Sequence, residues 1–108
     1  ASDVYKRQVH IKEMAKAAIG MVTDSVDSYV KMDAELAKKV AQADDQVDDL
    51  FVKVRQELVE LVRTNQDMAE NALDLMMIAK YLERIGDHAV NVAEWVMYAI
   101  TGKHEKLA

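Results

Sequence analysis

Three oxygen-bearing side chains, Glu83, Asp87 and Asn91, recur every four residues within the segment 81–94. On a helix this spacing stacks them as one slowly turning stripe. Like charges four residues apart cost a few tenths of a kcal/mol, and this stripe borders the apolar positions Ala79, Leu82, Gly86 and Ala89. Burying carboxylates there costs more still unless a cation or a basic side chain compensates. A second acidic cluster, residues 44–49, holds four aspartates and repeats the same geometry at Asp44 and Asp48. Two such stripes on neighbouring helices could form an oxygen-only metal site. With no cysteine in the chain, these donors favour hard or borderline cations, magnesium, manganese or iron, with zinc a further candidate.

The same residues admit plainer roles. Glu83, Asp87 and Asn91 could be a solvated helix face, or a set neutralised by Lys80 or Arg84. Asp45 and Asp49 lie one step further round the helix and read as solvated, and Asp24 and Asp27 read as surface charges or an edge of the acidic site. His10, His88 and His104 share no ligand spacing, and the seven methionines, at helical spacing, read as core filler. A di-iron carboxylate enzyme on a helical bundle draws on Glu-x-x-His pairs, and the chain has none. Nor does it carry a phosphate-binding glycine loop or a nucleophile beside a base. The reading is a non-enzymatic protein.

The elements that must hold these stripes are helices. At 108 residues and 51% hydrophobic content, the chain has length for one domain with a modest core. It contains no proline and three glycines, so little interrupts it. Apolar positions recur at the helical period over 9–31, 34–64 and 67–101. Asp33 is placed to cap the second helix, with Glu35 in its first turn, and Asn65 or Asp67 the third; Gly102 is a natural stop. Short joins between long helices imply an all-α, antiparallel three-helix bundle. Val47, Phe51, Val54, Leu75, Ala79 and Leu82 are expected inside, with Trp95 and Tyr98 packed on other helices. Gly86 is expected to permit close helix approach, or to leave room for Glu83 and Asp87 to converge. The third helix is apolar on too many sides for three helices to cover. Leu73, Met77 and Ile78 should remain open and drive self-association, most simply a homodimer.

Composition bounds the partners. A net charge of −5 with no clustered basic surface argues against nucleic acid and suits a protein or cation partner. No apolar run reaches the ~18 residues of a membrane span, so no membrane insertion is expected. The absence of cysteine fits a cytoplasmic location. Residues 2–8 resemble a translated sequencing-library adapter. The segment 1–8 is therefore expected to be disordered or non-native, the chain to be a fragment lacking its upstream part, and 103–108 to be a tail.

In these residues the chain resembles the PhoU family of regulators of bacterial phosphate uptake and phosphate-starvation signalling. The likeness rests on Leu82-Glu-Arg-Ile-Gly-Asp87 with Asn91 and Glu94, and on Asp44-Asp-Gln-Val-Asp48 with Phe51 one turn beyond. Met21 to Asp27 and Tyr98 to Gly102 share the same phrasing, so the likeness spans about Val9 to Gly102. The resemblance implies that 9–102 is one three-helix repeat of a family that normally carries two in tandem, and its ending at Trp95 to Gly102 is similar to the second repeat. It also implies multinuclear metal binding through Asp44, Asp48, Glu83 and Asp87, with Asn91 a weaker ligand. The implied partners are the ATP-binding subunit of the phosphate ABC transporter and a phosphate-responsive sensor histidine kinase. The implied outcome is restraint of uptake and repression of starvation genes.

Overall fold

The computed structural model describes residues 9–102 and Leu107. The expected segment 1–8 and the tail, Leu107 apart, lie outside the described residues. Three helices account for nearly all of the rest: α1 (Val9–Lys31), α2 (Ala34–Thr64) and α3 (Ala69–Thr101). They pack pairwise as the expected antiparallel bundle, 53 × 20 × 16 Å in extent. The long dimension is about that of a helix of 31 to 33 residues at ~1.5 Å per residue, so α2 and α3 run the length of the molecule and α1, at 23 residues, spans about two thirds of it.

Each join has a specific physical cause. After α1 the backbone N–H of Asp33 donates to the carbonyl of Ser28 at 2.9 Å and that of Met32 to Tyr29 at 3.2 Å. This is the paired closure of a Schellman turn, with Met32 at φ 50° in the left-handed position usually held by glycine. Asp33 then caps α2 as expected, its carboxylate accepting from the Leu36 N–H at 3.1 Å. After α2, the Asn65 side chain accepts from the Asp67 N–H at 3.2 Å and starts a short 3-10 turn over Gln66–Met68. α3 proper therefore starts at Ala69 rather than at 67. It ends at Gly102, whose N–H makes the last helical bond to the Tyr98 carbonyl at 2.8 Å and whose φ of 75° is the left-handed conformation that stops a helix.

The core follows a seven-residue repeat on every helix. α1 contributes Ile11, Met14, Ala18, Met21, Ser25 and Ser28, all buried. The hydroxyls of Ser25 and Ser28 donate to the carbonyls of Val22 and Ser25, so their burial leaves no donor unpaired. α2 contributes Val40, Val47, Val54 and Leu61 on one register, and Ala37 and Leu58 on the other. α3 answers with small residues seven apart, Ala72, Ala79, Gly86 and Ala93. Small side chains on α3 let the helices approach closely.

Several expected positions differ. Val47, Val54 and Ala79 are buried, but Phe51, Leu75 and Leu82 are half-buried and pack on the rim of the core. Phe51 lies at the α2–α3 seam with the Lys80 ammonium 4.9 Å from its ring centre, so its outer face meets a cation rather than a third helix. Trp95 and Tyr98 are exposed rather than buried in the core, and they meet each other edge to face at 5.5 Å. Leu73, Met77 and Ile78 are exposed as expected.

The Met32 backbone sets up one prediction. A non-glycine residue in the left-handed region costs roughly 1 kcal/mol, which glycine avoids. Met32→Gly, whose native side chain is about half exposed, should therefore leave the protein as stable or more stable by up to about 1 kcal/mol in urea unfolding. A loss above that amount would mean that Met32 packs in a way its exposure does not show.

Candidate metal centre

Asp44 occupies a core register of α2. It falls seven residues after Ala37 and seven before Phe51, on the repeat that continues to Leu58. Its Oδ1 atom is buried and has no hydrogen-bond partner. Burial, followed by the charges of Asp48, Asp87, Asp45 and Glu83, pushes the Asp44 carboxyl up to about 6. Asp48, one turn further along α2, is also raised, first by loss of solvent and then by Glu83 and Asp87. Two of these perturbing charges, Glu83 and Asp87, come from α3. The two acidic stripes thus lie within electrostatic reach of one another across the α2–α3 groove.

The stripes are not equally placed. Glu83 is half-buried and accepts from the Lys80 ammonium at 3.3 Å, whereas Asp87 and Asn91 are exposed. Asp45 and Asp49 are exposed, as the sequence suggests. Arg84 lies over the Tyr81 ring at 5.7 Å. Lys80 is thus the basic neighbour that engages the stripe. Among the described residues no three acidic or histidine side chains converge tightly enough to hold one ion as they stand.

Gly86 faces Asp44 from α3. A Cβ built on it would lie 3.5 Å from the Met21 sulfur and 3.7 Å from Asp44 Oδ1, both ordinary contacts. Close helix approach therefore does not by itself demand glycine here, although an alanine in mid-helix would be favoured by about 1 kcal/mol. The missing methyl instead leaves a small space beside the buried Asp44 oxygen. The donor chemistry fits a hard cation: carboxylate oxygens, one of them buried and unpartnered, with no sulfur.

Glu94, part of the family-like signature but not among the expected ligands, is the further acid that the structure buries. It is 9% exposed, and its Oε2 accepts from the Leu107 backbone N–H at 2.8 Å. It lies seven residues beyond Asp87, two turns along the same side of α3, and that spacing was the available signal. Away from the acidic groove, His10 Nδ1 sits 2.9 Å from Glu57 Oε1 across the α1–α2 seam. His88 is exposed, and His104 lies outside the described residues.

Because Asp44 takes up a proton in the folded state at a pH where the unfolded chain holds none, its contribution to stability is present below about pH 4 and lost as pH rises to about 6. Asp44→Asn should therefore have little effect on thermal unfolding at pH 4 and an increasingly stabilising one up to about pH 6, with a plateau above. Melting curves of both proteins at pH 4, 5, 6 and 7 test this; a constant difference between them would contradict it.

Comparison with known proteins identifies the family. A family model described as the PhoU domain matches residues 11–96. The chain is 38% identical over 96 residues to the phosphate-specific transport system accessory protein PhoU homolog 1 of Thermotoga maritima, covering 89% of this chain and 41% of that protein. It is 35% identical over 97 residues to the similarly named protein of Clostridium acetobutylicum, covering 90% and 44%. With the counterpart in Deinococcus radiodurans it is 34% identical over 100 residues, covering 93% and 47%. The chain thus spans less than half the length of each of these relatives.

Proposed function

Because this chain belongs to the PhoU family, we propose that it is a non-enzymatic regulatory module of phosphate homeostasis whose acidic α2–α3 groove takes up a metal cation. The names of its relatives tie them to phosphate-specific transport as accessory proteins. On this reading the module restrains phosphate uptake and represses phosphate-starvation signalling from the cytoplasm. It does so by docking on the ATP-binding subunit of the phosphate ABC transporter and on a sensor histidine kinase. No helix among the described residues is long and apolar enough to cross a membrane, which suits a protein that acts by docking.

The observation that carries the metal reading is the buried, unpartnered Asp44 oxygen with a raised carboxyl, set between carboxylates from two helices. Asp44, Asp48, Glu83 and Asp87 would hold the ion, with Asn91 at the rim. Magnesium, manganese or iron suits the oxygen donors best, and zinc is the softer alternative. A bound cation supplies charge neutralisation. Its effect on this chain is to relieve the repulsion across the groove and to change the charge that the surface presents to a partner. A metal-independent interaction bundle is the second reading, favoured by the absence of a ready three-ligand set among the described residues.

Self-association completes the proposal. On the side of α3 away from the core, Leu73, Met77, Tyr81 and Trp95 are 54–67% exposed. A groove of about 460 Å³ lined by Leu58, Val59, Val62, Ala72, Leu73 and Met76 opens beside them. This surface is proposed to pair with a second copy.

Two experiments test these readings. After equilibrium dialysis against micromolar Mn²⁺, the protein should retain metal, and Asp44→Asn with Asp87→Asn should lower the affinity at least about tenfold, the equivalent of ~1.4 kcal/mol. Retention by neither protein would leave the metal-independent bundle as the reading. In sedimentation equilibrium at high micromolar concentration the protein should dimerise, and Met77→Lys should shift it toward monomer by placing a charge in an apolar contact. A clean monomer of the parent protein would overturn the paired-copy proposal.

A further inference from the structure

Glu83 is shared between two sets of charges. Its own helix gives it a cation: the Lys80 ammonium lies 3.3 Å from Oε1. Across the α2–α3 seam, its negative charge raises the carboxyls of both Asp44 and Asp48. Lys80 in turn rests on α2, with its ammonium 4.9 Å from the centre of the Phe51 ring. Phe51 follows Asp44 by seven residues and Asp48 by three, so it lies on the same side of α2 as the aspartate stripe. A positive charge carried by the chain itself therefore stands at the edge of the acidic groove, engaged with one of its carboxylates. Lys38, which borders Asp44, Asp45 and Asp48 in a cavity of about 550 Å³, pairs with Glu35 at 3.8 Å.

We propose that Lys80 is a tethered counter-ion of the groove, which a bound cation must displace from Glu83 and which thereby sets the affinity of the site. The proposal rests on the cation reading of the groove and adds to it the residue that controls how tightly the ion is held. With no cation present, the Lys80–Glu83 pair offsets part of the repulsion among Asp44, Asp48, Glu83 and Asp87. A divalent ion at Glu83 would meet the ammonium as a like charge, in a groove already partly shielded from water at Asp44 and Asp48. The ammonium then leaves the carboxylate. The face of the Phe51 ring gives it a second resting place, so the lysine need not be expelled into solvent. Ion and ammonium thus compete for one carboxylate, and the groove binds more weakly than its acids alone would allow.

An ordinary surface pair makes a different forecast. Lys80 is 61% exposed and three residues from Glu83, a spacing at which weak ion pairs are common on helices. Removing its charge would then raise cation affinity no more than removing any other lysine. Lys80→Met keeps an apolar stem over Phe51 and removes the ammonium. Lys16→Met makes the same change in net charge on the surface of α1, a helix that lends no acid to the groove. Mn²⁺ affinities are measured by isothermal titration calorimetry on the full 108-residue chain, with circular dichroism confirming equal helix content. Lys80→Met should bind about threefold tighter or more than both the parent and Lys16→Met; release of the helix pair accounts for about twofold and relief of like-charge repulsion for the rest. Lys80→Arg, which keeps the charge and the ring contact, should return to the parent affinity. In a Glu83→Gln background the advantage of Lys80→Met over Lys16→Met should vanish. Equal affinities of Lys80→Met and Lys16→Met, or a Lys80→Arg protein as tight as Lys80→Met, overturn the counter-ion and leave the cation site standing. An advantage that persists with Glu83→Gln overturns Glu83 as the contested carboxylate. No Mn²⁺ binding by any of these proteins overturns the cation reading and the counter-ion with it.

Discussion

A carboxylate on a core register is the constraint around which this bundle is organised. Each helix repeats its buried positions every seven residues, and α2 fills them with Ala37, Val40, Val47, Val54, Leu58 and Leu61. At Asp44 the repeat places an acid where its neighbours are aliphatic, and one oxygen of that acid is buried without a partner. Burying an unpaired ionised group is among the costliest arrangements available to a protein. The surroundings reflect it. Gly86 stands back from the Asp44 oxygen on α3, the flexible Met21 side chain fills the space beside it, and this half of α1 closes its core with Ser25 and Ser28 rather than with large apolar groups. The opposite half, with Ile11, Met14, Leu58 and Leu61, is an ordinary hydrophobic core.

α3 carries the functional weight because three of its sides do different things. Small residues at Ala72, Ala79, Gly86 and Ala93 meet the other two helices. Glu83 and Asp87 lie within electrostatic reach of the aspartates of α2, and Leu73, Met77, Tyr81 and Trp95 remain outside. A helix so divided cannot be explained by the stability of one bundle alone. Its acidic and apolar sides adjoin, so a change of charge in the groove lies next to the surface proposed for assembly. That adjacency gives a cation a physical route to influence association without any change of fold.

The helical framework was readable from the sequence because its signals are local and strong. Periodicity placed α1 and α2 to the residue, Asp33 announced its cap, and the terminal Gly102 its left-handed stop. The excess of apolar residues on α3 likewise foretold the exposure of Leu73, Met77 and Ile78. What escaped depends on which side of a long helix meets which neighbour. Met32 gave no sign of its left-handed backbone, since glycine is the residue that marks such turns. Phe51 and Trp95 have core-like chemistry, but a three-helix bundle has too little interior to bury every large aromatic on its helices. The acidic stripes could be seen as stripes. That Asp44 lies under the α2–α3 seam while Asp87 stays outside follows only from how the helices are rotated against each other. Glu94 was hidden for a similar reason, since its partner Leu107 is thirteen residues away and beyond the end of the helix.

The most direct test of the Asp44 constraint is the titration of its own carboxyl, followed by carbon-13 NMR in protein labelled at aspartate and assigned with Asp44→Asn. In metal-free buffer the Asp44 carboxyl should titrate near 6, well above the ordinary 3.8, and millimolar Mg²⁺ should draw it downward as the cation stabilises the ionised form. A carboxyl that titrates at the ordinary value and ignores Mg²⁺ would show that Asp44 is neither buried nor poised for a cation.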